Sequence, residues 1–168
     1  MGESVDPYRH VDFITRKILQ AWVERAHYDE IPWTPLERPL SQCRVAALSS
    51  AGVRLRQDDP FDREGERQNP WWGDPSFRRI PATAQSSDVA VDHLHIPTRF
   101  AEEDLGCVLP LGALRQLVDE GRIGSLAPEA YSFMGYLLDE EPFLKRSVPA
   151  IVDELLRDEV DLAIFFLV

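Results

Sequence analysis

Positive charge is the first thing this chain is short of: 18 Lys and Arg stand against 29 Asp and Glu, for a formal net charge of -11. Non-specific binding to nucleic acid needs a basic footprint for the phosphates, so that class of function is excluded. Cysteine is scarce too. Cys43 and Cys107 are the only two and lie far apart, which gives neither a disulfide framework nor a Cys-x-x-Cys motif. The first residues, Met1-Gly2-Glu3-Ser4-Val5-Asp6, lack the basic and apolar regions of a signal peptide, and Asp6 spoils a myristoylation signal. The cytoplasm is the expected location, with no membrane partner. Gly-x-Gly-x-x-Gly and Walker-type phosphate patterns are absent, as are internal repeats and low-complexity segments.

What is present reads as one globular protein. A length of 168 residues can bury a real core, and 44% hydrophobic with 28% charged residues is ordinary for a soluble domain. Charge is unevenly spread. Residues 101–168 carry 14 acids against 5 bases, whereas residues 41–100 carry 8 of each, all the bases there being Arg. A planar guanidinium in that loop-like middle can hold a carboxylate or brace backbone carbonyls.

In chain order, Val11, Ile14, Ile18, Ala21 and Trp22 recur at helical spacing and predict an N-terminal amphipathic helix within residues 1–30, packed as an appendage. Residues 31–168 read as the main α/β domain. Its first ten residues carry Pro32, Pro35 and Pro39, which forbid helix, with Trp33, Leu36 and Leu40 expected to pin the path to the core. Arg44 to Leu48 reads as the first strand, followed by a tight loop in which Gly52 permits positive φ and a ligand could approach backbone amides. Residues 54–87 read as a long loop anchored by Phe61, Trp71, Trp72 and Phe77. Ser87 to Ile96 reads as a second strand. Pro110-Leu111 opens a helix closed by Gly121, with Cys107 to Leu109 as a short strand before it. Tyr131 to Tyr136 is expected to be extended. A helix through Val148 to Arg157, with Ser147 as N-cap, leads to Leu162-Ala163-Ile164-Phe165-Phe166-Leu167-Val168, whose seven consecutive apolar residues predict a central parallel strand buried on both faces. The expected fold is an open, mainly parallel, Rossmann-like sheet with flanking helices, incomplete at the C-terminus.

His93-x-His95 on a strand would put both imidazoles on one face, with Asp104 close enough in sequence to orient one of them. A neutral imidazole near pH 7 suits substrate binding or proton transfer, and no metal is assigned. Arg78 is the candidate for a substrate carboxylate on charge logic. Cys43 and Cys107 read as buried structural thiols, and Ser49 and Ser50 as turn-forming hydroxyls.

Several short motifs, in order, resemble one family. They are Pro32-Trp33-Thr34-Pro35-Leu36, Ser50-Ala51-Gly52-Val53, Pro60-Phe61-Asp62 and Gly73-Asp74-Pro75-Ser76-Phe77-Arg78. His93-x-His95, Asp104, Glu120-Gly121-Arg122-Ile123-Gly124, Tyr131-Ser132-Phe133-Met134-Gly135-Tyr136 and Val160-Asp161 follow. From about Pro32 to Val168 the chain resembles the selenoprotein B type subunit of the glycine, sarcosine, betaine and D-proline reductases. Gly106 and Cys107 depart from the family's pattern after its Asp. The resemblance implies reductive cleavage of a C–N bond in a small amino acid or amine. It also implies a selenocysteine or cysteine just after the strand matching Asp161 to Val168, a second cysteine nearby, and a pyruvoyl group on a partner subunit. Dithiols or a thioredoxin-type reductant would supply electrons. The catalytic residue is therefore expected just beyond Val168, with the chain cut at a UGA codon read as stop. His93, His95, Asp104 and Arg78 are the substrate-binding candidates. The alternatives are a non-catalytic α/β binding or accessory domain and, less favoured, a metal-dependent hydrolase using His93, His95 and Asp104.

Overall fold

The computed structural model describes residues 8–9, 11–25, 34–69 and 72–168; Trp33 and Trp71, two of the expected anchors, and the N-terminal segment read for a signal lie outside them. Two compact units divide the chain, Met1–Pro35 and Leu36–Val168. In the first, helix α1 spans Phe13–Arg25. Asp12 starts it by accepting hydrogen bonds from the amides of Ile14 and Thr15 at 2.9 and 3.1 Å, which satisfies donors that no helical carbonyl can reach. A further bond from the Thr15 hydroxyl is the main reason that the Asp12 carboxyl titrates below its ordinary range. Phe13, Ile14 and Val23 are exposed.

The second unit is built on strand β1, Arg44–Ser49, whose side chains from Val45 onward are all buried. Cover on both faces and pairing along both edges account for so uniformly buried a strand. Along one edge it pairs parallel with β7, Leu162–Phe166, from Val45 to Ser49. The other edge is shared: β5, Ser125–Leu126, pairs parallel with its start, and β6, Glu129–Phe133, with its end. Beyond β6 lies β3, Phe77–Pro81, running antiparallel. A separate two-stranded sheet joins β2, Val53–Leu55, to β4, Val89–Val91.

Alternation along the strands puts two helices on opposite faces. Val45 and Ala47 share apolar clusters with Leu111, Leu114, Leu117 and Val118 of α4, Leu111–Asp119. Leu48 and Tyr131 face Ile151 and Leu155 of α5, Val148–Arg157. Each Leu or Ile buried this way is worth about 1.5–3 kcal/mol. Gly121 closes α4 at φ +67°, a left-handed position that glycine adopts without steric cost.

The architecture is α/β with a mostly parallel sheet and flanking helices, and four readings of the sequence change. The final strand stands at an edge, not the centre: among the described residues β7 pairs only with β1, and Phe165, Leu167 and Val168 are exposed. An apolar run records what a strand could bury, not how many neighbours it has. The expected loop 54–87 contains β2, a short helix α2 at Arg63–Gln68, and β3. Cys107 is exposed, and Leu105–Cys107, which follows the short helix α3 at Thr98–Glu103, forms a 3-10 turn instead of a strand. Ser147 does not cap α5; it ends a π-helical turn, Phe143–Ser147, and its hydroxyl donates to the Pro75 carbonyl at 2.5 Å.

Leu36 and Leu40, expected to pin the Pro-rich path, are each 43% exposed. Cys43 is fully buried, and its Sγ lies 3.4 Å from the Pro39 carbonyl oxygen.

Candidate functional site

The carboxyl end of β1 is a topological switch point. The chain leaves β1, passes through α4 on one face and returns on one side as β5; it leaves β6, passes through α5 on the other face and returns on the opposite side as β7. In sheets of this kind, diverging connections open a crevice beyond the strand ends, the usual place for ligands, which makes this edge the candidate site.

Four segments meet there. After β1 the chain runs through Ser50, Ala51 and Gly52; Ser50 N donates to Phe166 O at 3.2 Å and Gly135 N to Ser50 O at 2.8 Å. Gly52 N donates to Phe133 O at 3.0 Å, and Asp92 N to Gly52 O at 3.0 Å, which brings the segment after β4 to the same edge. Buried hydroxyls stitch the floor. Ser49 Oγ donates to Val108 O at 2.9 Å and Ser132 Oγ to Ser49 O at 3.2 Å, while the Ala51 and Val53 amides donate to Ser49 Oγ and Ser132 Oγ. The backbone amides of residues 50–53 are thus all engaged. The expected approach of a ligand to free amides after β1 is closed off.

Both sequence-predicted histidines lie at this edge, though not as a strand pair. β4 stops at Val91, so His93 is buried while His95 is exposed. His93 Nδ1 accepts a hydrogen bond from His95 N at 3.1 Å, which makes Nδ1 the unprotonated nitrogen. The two rings stand edge to face with centroids 5.8 Å apart. His95 then stacks on Tyr136 at 4.3 Å and 35°. Tyr136, together with Met134 and Ser50, is the part of the site that residue typing missed; its only signal was an aromatic directly after Gly135. A Cβ at Gly135 would sit 3.0 Å from the Ser50 carbonyl oxygen, so this close contact between loops favours a residue without a side chain.

Asp104 and Arg78 lie elsewhere. Asp104 is exposed and caps the turn at Leu105–Cys107, accepting from Gly106 N at 2.8 Å. Arg78 lies along β3 with its ring of donors spent: Nε and Nη2 donate to Asp59 O, Nη2 also to Pro60 O, and Nη1 to Ser76 Oγ and Phe77 O. Its guanidinium also covers the Phe61 ring at 4.2 Å. With five N–H donors on four acceptor atoms it braces the loop and keeps none for a substrate carboxylate. Among the described residues no three of His, Cys, Asp and Glu gather as a metal would need, which leaves the metal-dependent hydrolase without a ligand set.

Two other concavities are internally neutralised. A cavity of about 340 Å³ at the amino ends of the strands is lined by Arg38, Arg44, Glu159 and Asp161. There Asp161 accepts from Arg44 N at 2.8 Å and lies 3.4 Å from Arg38 Nε. A groove of about 770 Å³ follows β3 past Arg78, Arg79 and Glu129. Arg79 pairs with Glu154, which draws the Glu154 carboxyl below its ordinary range. Burial raises the neighbouring Tyr131 hydroxyl to about 12.

Glu129 shows the opposite shift, upward, chiefly because burial disfavours its charge, and its Oε2 has no hydrogen-bond partner among the described residues. A carboxyl whose folded pKa is raised contributes stability below its unfolded pKa and loses it as pH rises through the folded value. Glu129→Gln should therefore raise the unfolding midpoint at pH 7, by less than about 1 kcal/mol, with the gain vanishing in acid. A midpoint difference that is the same at pH 4 and pH 8 would contradict this origin.

Over 129 residues, 77% of its length, the chain is 33% identical to the D-proline reductase subunit gamma of Acetoanaerobium sticklandii. It spans about half of that relative, 50% of its length. No protein-family model and no solved structure matches the chain. No helix among the described residues is long and apolar enough to cross a membrane.

Proposed function

We infer that the chain belongs with the proline/glycine reductase-type proteins, and we propose that it forms the substrate-binding part of one subunit of such a reductase. The observation that carries the reaction class is the 33% identity to the D-proline reductase gamma subunit over 129 residues. The topology adds a location, since a reactive crevice belongs at the carboxyl end of β1, where His93, His95 and Tyr136 gather. The proposed reaction breaks a C–N bond of a small amino acid or amine. A dithiol gives two electrons and becomes a disulfide, the carbon gains hydrogen, and the nitrogen takes up a proton, leaving as a free amine from an open-chain substrate and staying attached at the far end of an opened ring.

In this reading the chain is of the selenoprotein B type, and its own residues bind and orient the substrate. Tyr136 and His95 offer a flat wall against which a small ring or alkyl chain can pack. The neutral His93 holds the loop through its Nδ1 and leaves Nε2 as the nitrogen that carries the proton. Cys43 is buried at the amino end of β1, the opposite end of the sheet from this crevice. The reducing selenocysteine or cysteine is proposed to follow β7 in the family's full-length subunit. There it would meet the crevice, since Phe166 O already accepts from Ser50 N. The pyruvoyl group that activates the substrate is placed on a partner subunit.

Calorimetric titration of the purified chain with D-proline, glycine and betaine tests the binding role. Tyr136→Ala and His95→Ala should each weaken the ligand that binds by roughly tenfold, the loss of about 1.4 kcal/mol of contact, with an unfolding midpoint within about 3 °C of the parent. Failure of all three ligands to bind would sink the proposal. Binding that persists without dithiol-dependent C–N cleavage, read as released amine for glycine or betaine and as ring opening for D-proline, when partner subunits are present, would favour a non-catalytic accessory domain.

A further inference from the structure

We propose that the groove along β3 docks an extended segment of a partner chain, which pairs with the Arg79 backbone and sets a lysine ammonium against Glu129. The groove lies at a free edge of the sheet. β6 takes one edge of β3, and among the described residues no strand takes the other. Phe77 and Arg79 line the groove from one face of β3 and Arg78 from the other, so the volume of about 770 Å³ runs along that edge. Glu129 begins β6, whereas the ligand crevice lies past the far end of that strand, so the two surfaces are separate.

The direction of each backbone group follows from the pairing. Ala127 N donates to Val45 O and Phe133 O accepts from Gly52 N, which turns the odd-numbered residues of β6 toward β1 and the even-numbered ones toward β3. Opposite Ser132 and Ala130, Arg78 and Ile80 complete those bonds. Phe77, Arg79 and Pro81 therefore turn their backbone groups into the groove. Phe77 O accepts from Arg78 Nη1 at 3.1 Å; Pro81 has no N–H, and its O accepts from Ala84 N at 2.8 Å. Among the described residues Arg79 keeps both its N–H and its C=O for an incoming strand. One such residue between partly blocked neighbours fixes the register of what docks, in the way that peptides add to sheet edges.

Charge supplies the second contact. Glu129 stands opposite Pro81 in register and lines the same groove, and its Oε2 has no hydrogen-bond partner among the described residues. The pairing along the groove leaves this one carboxylate over, because Arg79 is bound to Glu154 through Nε and Nη2, and Arg78 to backbone carbonyls and Ser76. Asp58 and Asp59 add acid on the facing wall. An unpaired carboxylate shielded from water is costly, and a cation entering the groove offsets that cost. Alternation carries the side chain opposite Arg79, or two residues along, to the face that Glu129 shares with Arg79. Lysine, a point charge on a flexible four-carbon stem, can reach across the small Pro81 ring to it.

The probe is the pentapeptide acetyl-VKVKV-amide, titrated into the full chain and into Glu129→Gln, which keeps the shape of the side chain and removes its charge. In the parent the peptide should shift the amide resonance of Arg79 and the side-chain carboxyl resonance of Glu129 together. Glu129→Gln should weaken binding by about tenfold, and N-methylation of the lysine amides by at least as much. Equal affinity for Glu129→Gln, or shifts confined to other residues, would overturn the proposal, as would the absence of any saturable shift. If n-butylammonium reproduced the Glu129 shift and N-methylation left the affinity unchanged, the groove would hold a free small cation and the docking edge would be refuted.

Discussion

Asp92→Ala should lower folding stability by about 3–5 kcal/mol, the usual consequence of removing one partner from a buried ion pair. The Asp92 carboxylate is 3% exposed, and one oxygen, Oδ2, accepts from both Arg54 Nε at 2.8 Å and Phe61 N at 3.0 Å. Arg63 approaches the other oxygen at 3.8 Å. Truncation leaves the largely buried Arg54 guanidinium without its counter-ion and the buried Phe61 amide without an acceptor, and an unmet buried amide alone costs about 1–3 kcal/mol. Phe61 itself is 2% exposed and anchors the segment between β2 and α2, so its ring would lose its seat as well. Urea unfolding of the two proteins reads the difference as a shift in midpoint at constant slope. Asp92→Asn keeps an acceptor and should cost less. A loss below about 1 kcal/mol for Asp92→Ala would mean that water replaces the carboxylate and that the pair is peripheral.

The same residue shows why one strong pattern in the sequence misled. Val89, Val91, His93 and His95 alternate as a strand should, but β4 ends at Val91, where its last partner is Val53. Beyond it, Asp92 is held by Gly52 through its amide and by Arg54 and Phe61 through its carboxylate, and the chain turns. Nothing within ten residues of the histidines announces that hold. The partners of Asp92 lie 31 and 38 residues away. β3 was hidden for a related reason: Arg78 and Arg79 read as loop residues until the Asp59 and Pro60 carbonyls and Glu154, distant in sequence, supply their acceptors. Cys107 fell to a local effect, because a 3-10 turn carries Leu105 and Val108 inward and leaves the thiol outside. Elements whose signals are local were legible: β1 from its apolar run, α4 from its spacing and Gly121, α5 from its periodicity and Pro149. The site was legible in part. The paired imidazoles stood out by type, whereas Ser50 and Tyr136 acquire meaning only when β1 and β6 are brought side by side.

Gly52→Ala carries the second largest effect, about 2–4 kcal/mol, and it has two separable causes. The first is backbone strain. Gly52 sits at φ +64°, where a residue with a Cβ is disfavoured by about 1–2 kcal/mol. The second is crowding, since an added Cβ would lie 2.5 Å from Met134 Sδ, and Met134 is 1% exposed with little room to retreat. Overpacking of that kind typically costs 1–3 kcal/mol, roughly, though a flexible thioether can relieve part of it. In a Met134→Ala background the crowding disappears and the strain stays, so the cost of Gly52→Ala should fall to about 1–2 kcal/mol. An unchanged cost would place the whole penalty in the backbone; a cost near zero would place it all in the contact. Either the strain or the crowding reaches the crevice, because Gly52 O receives the Asp92 amide on one side and Met134 leads into Gly135 and Tyr136 on the other. Pushing Met134 outward should therefore shift the Tyr136 ring off His95 and weaken ligand binding in the single variant, whereas in the Met134→Ala background, itself less stable for the cavity it leaves, Gly52→Ala should weaken binding no further.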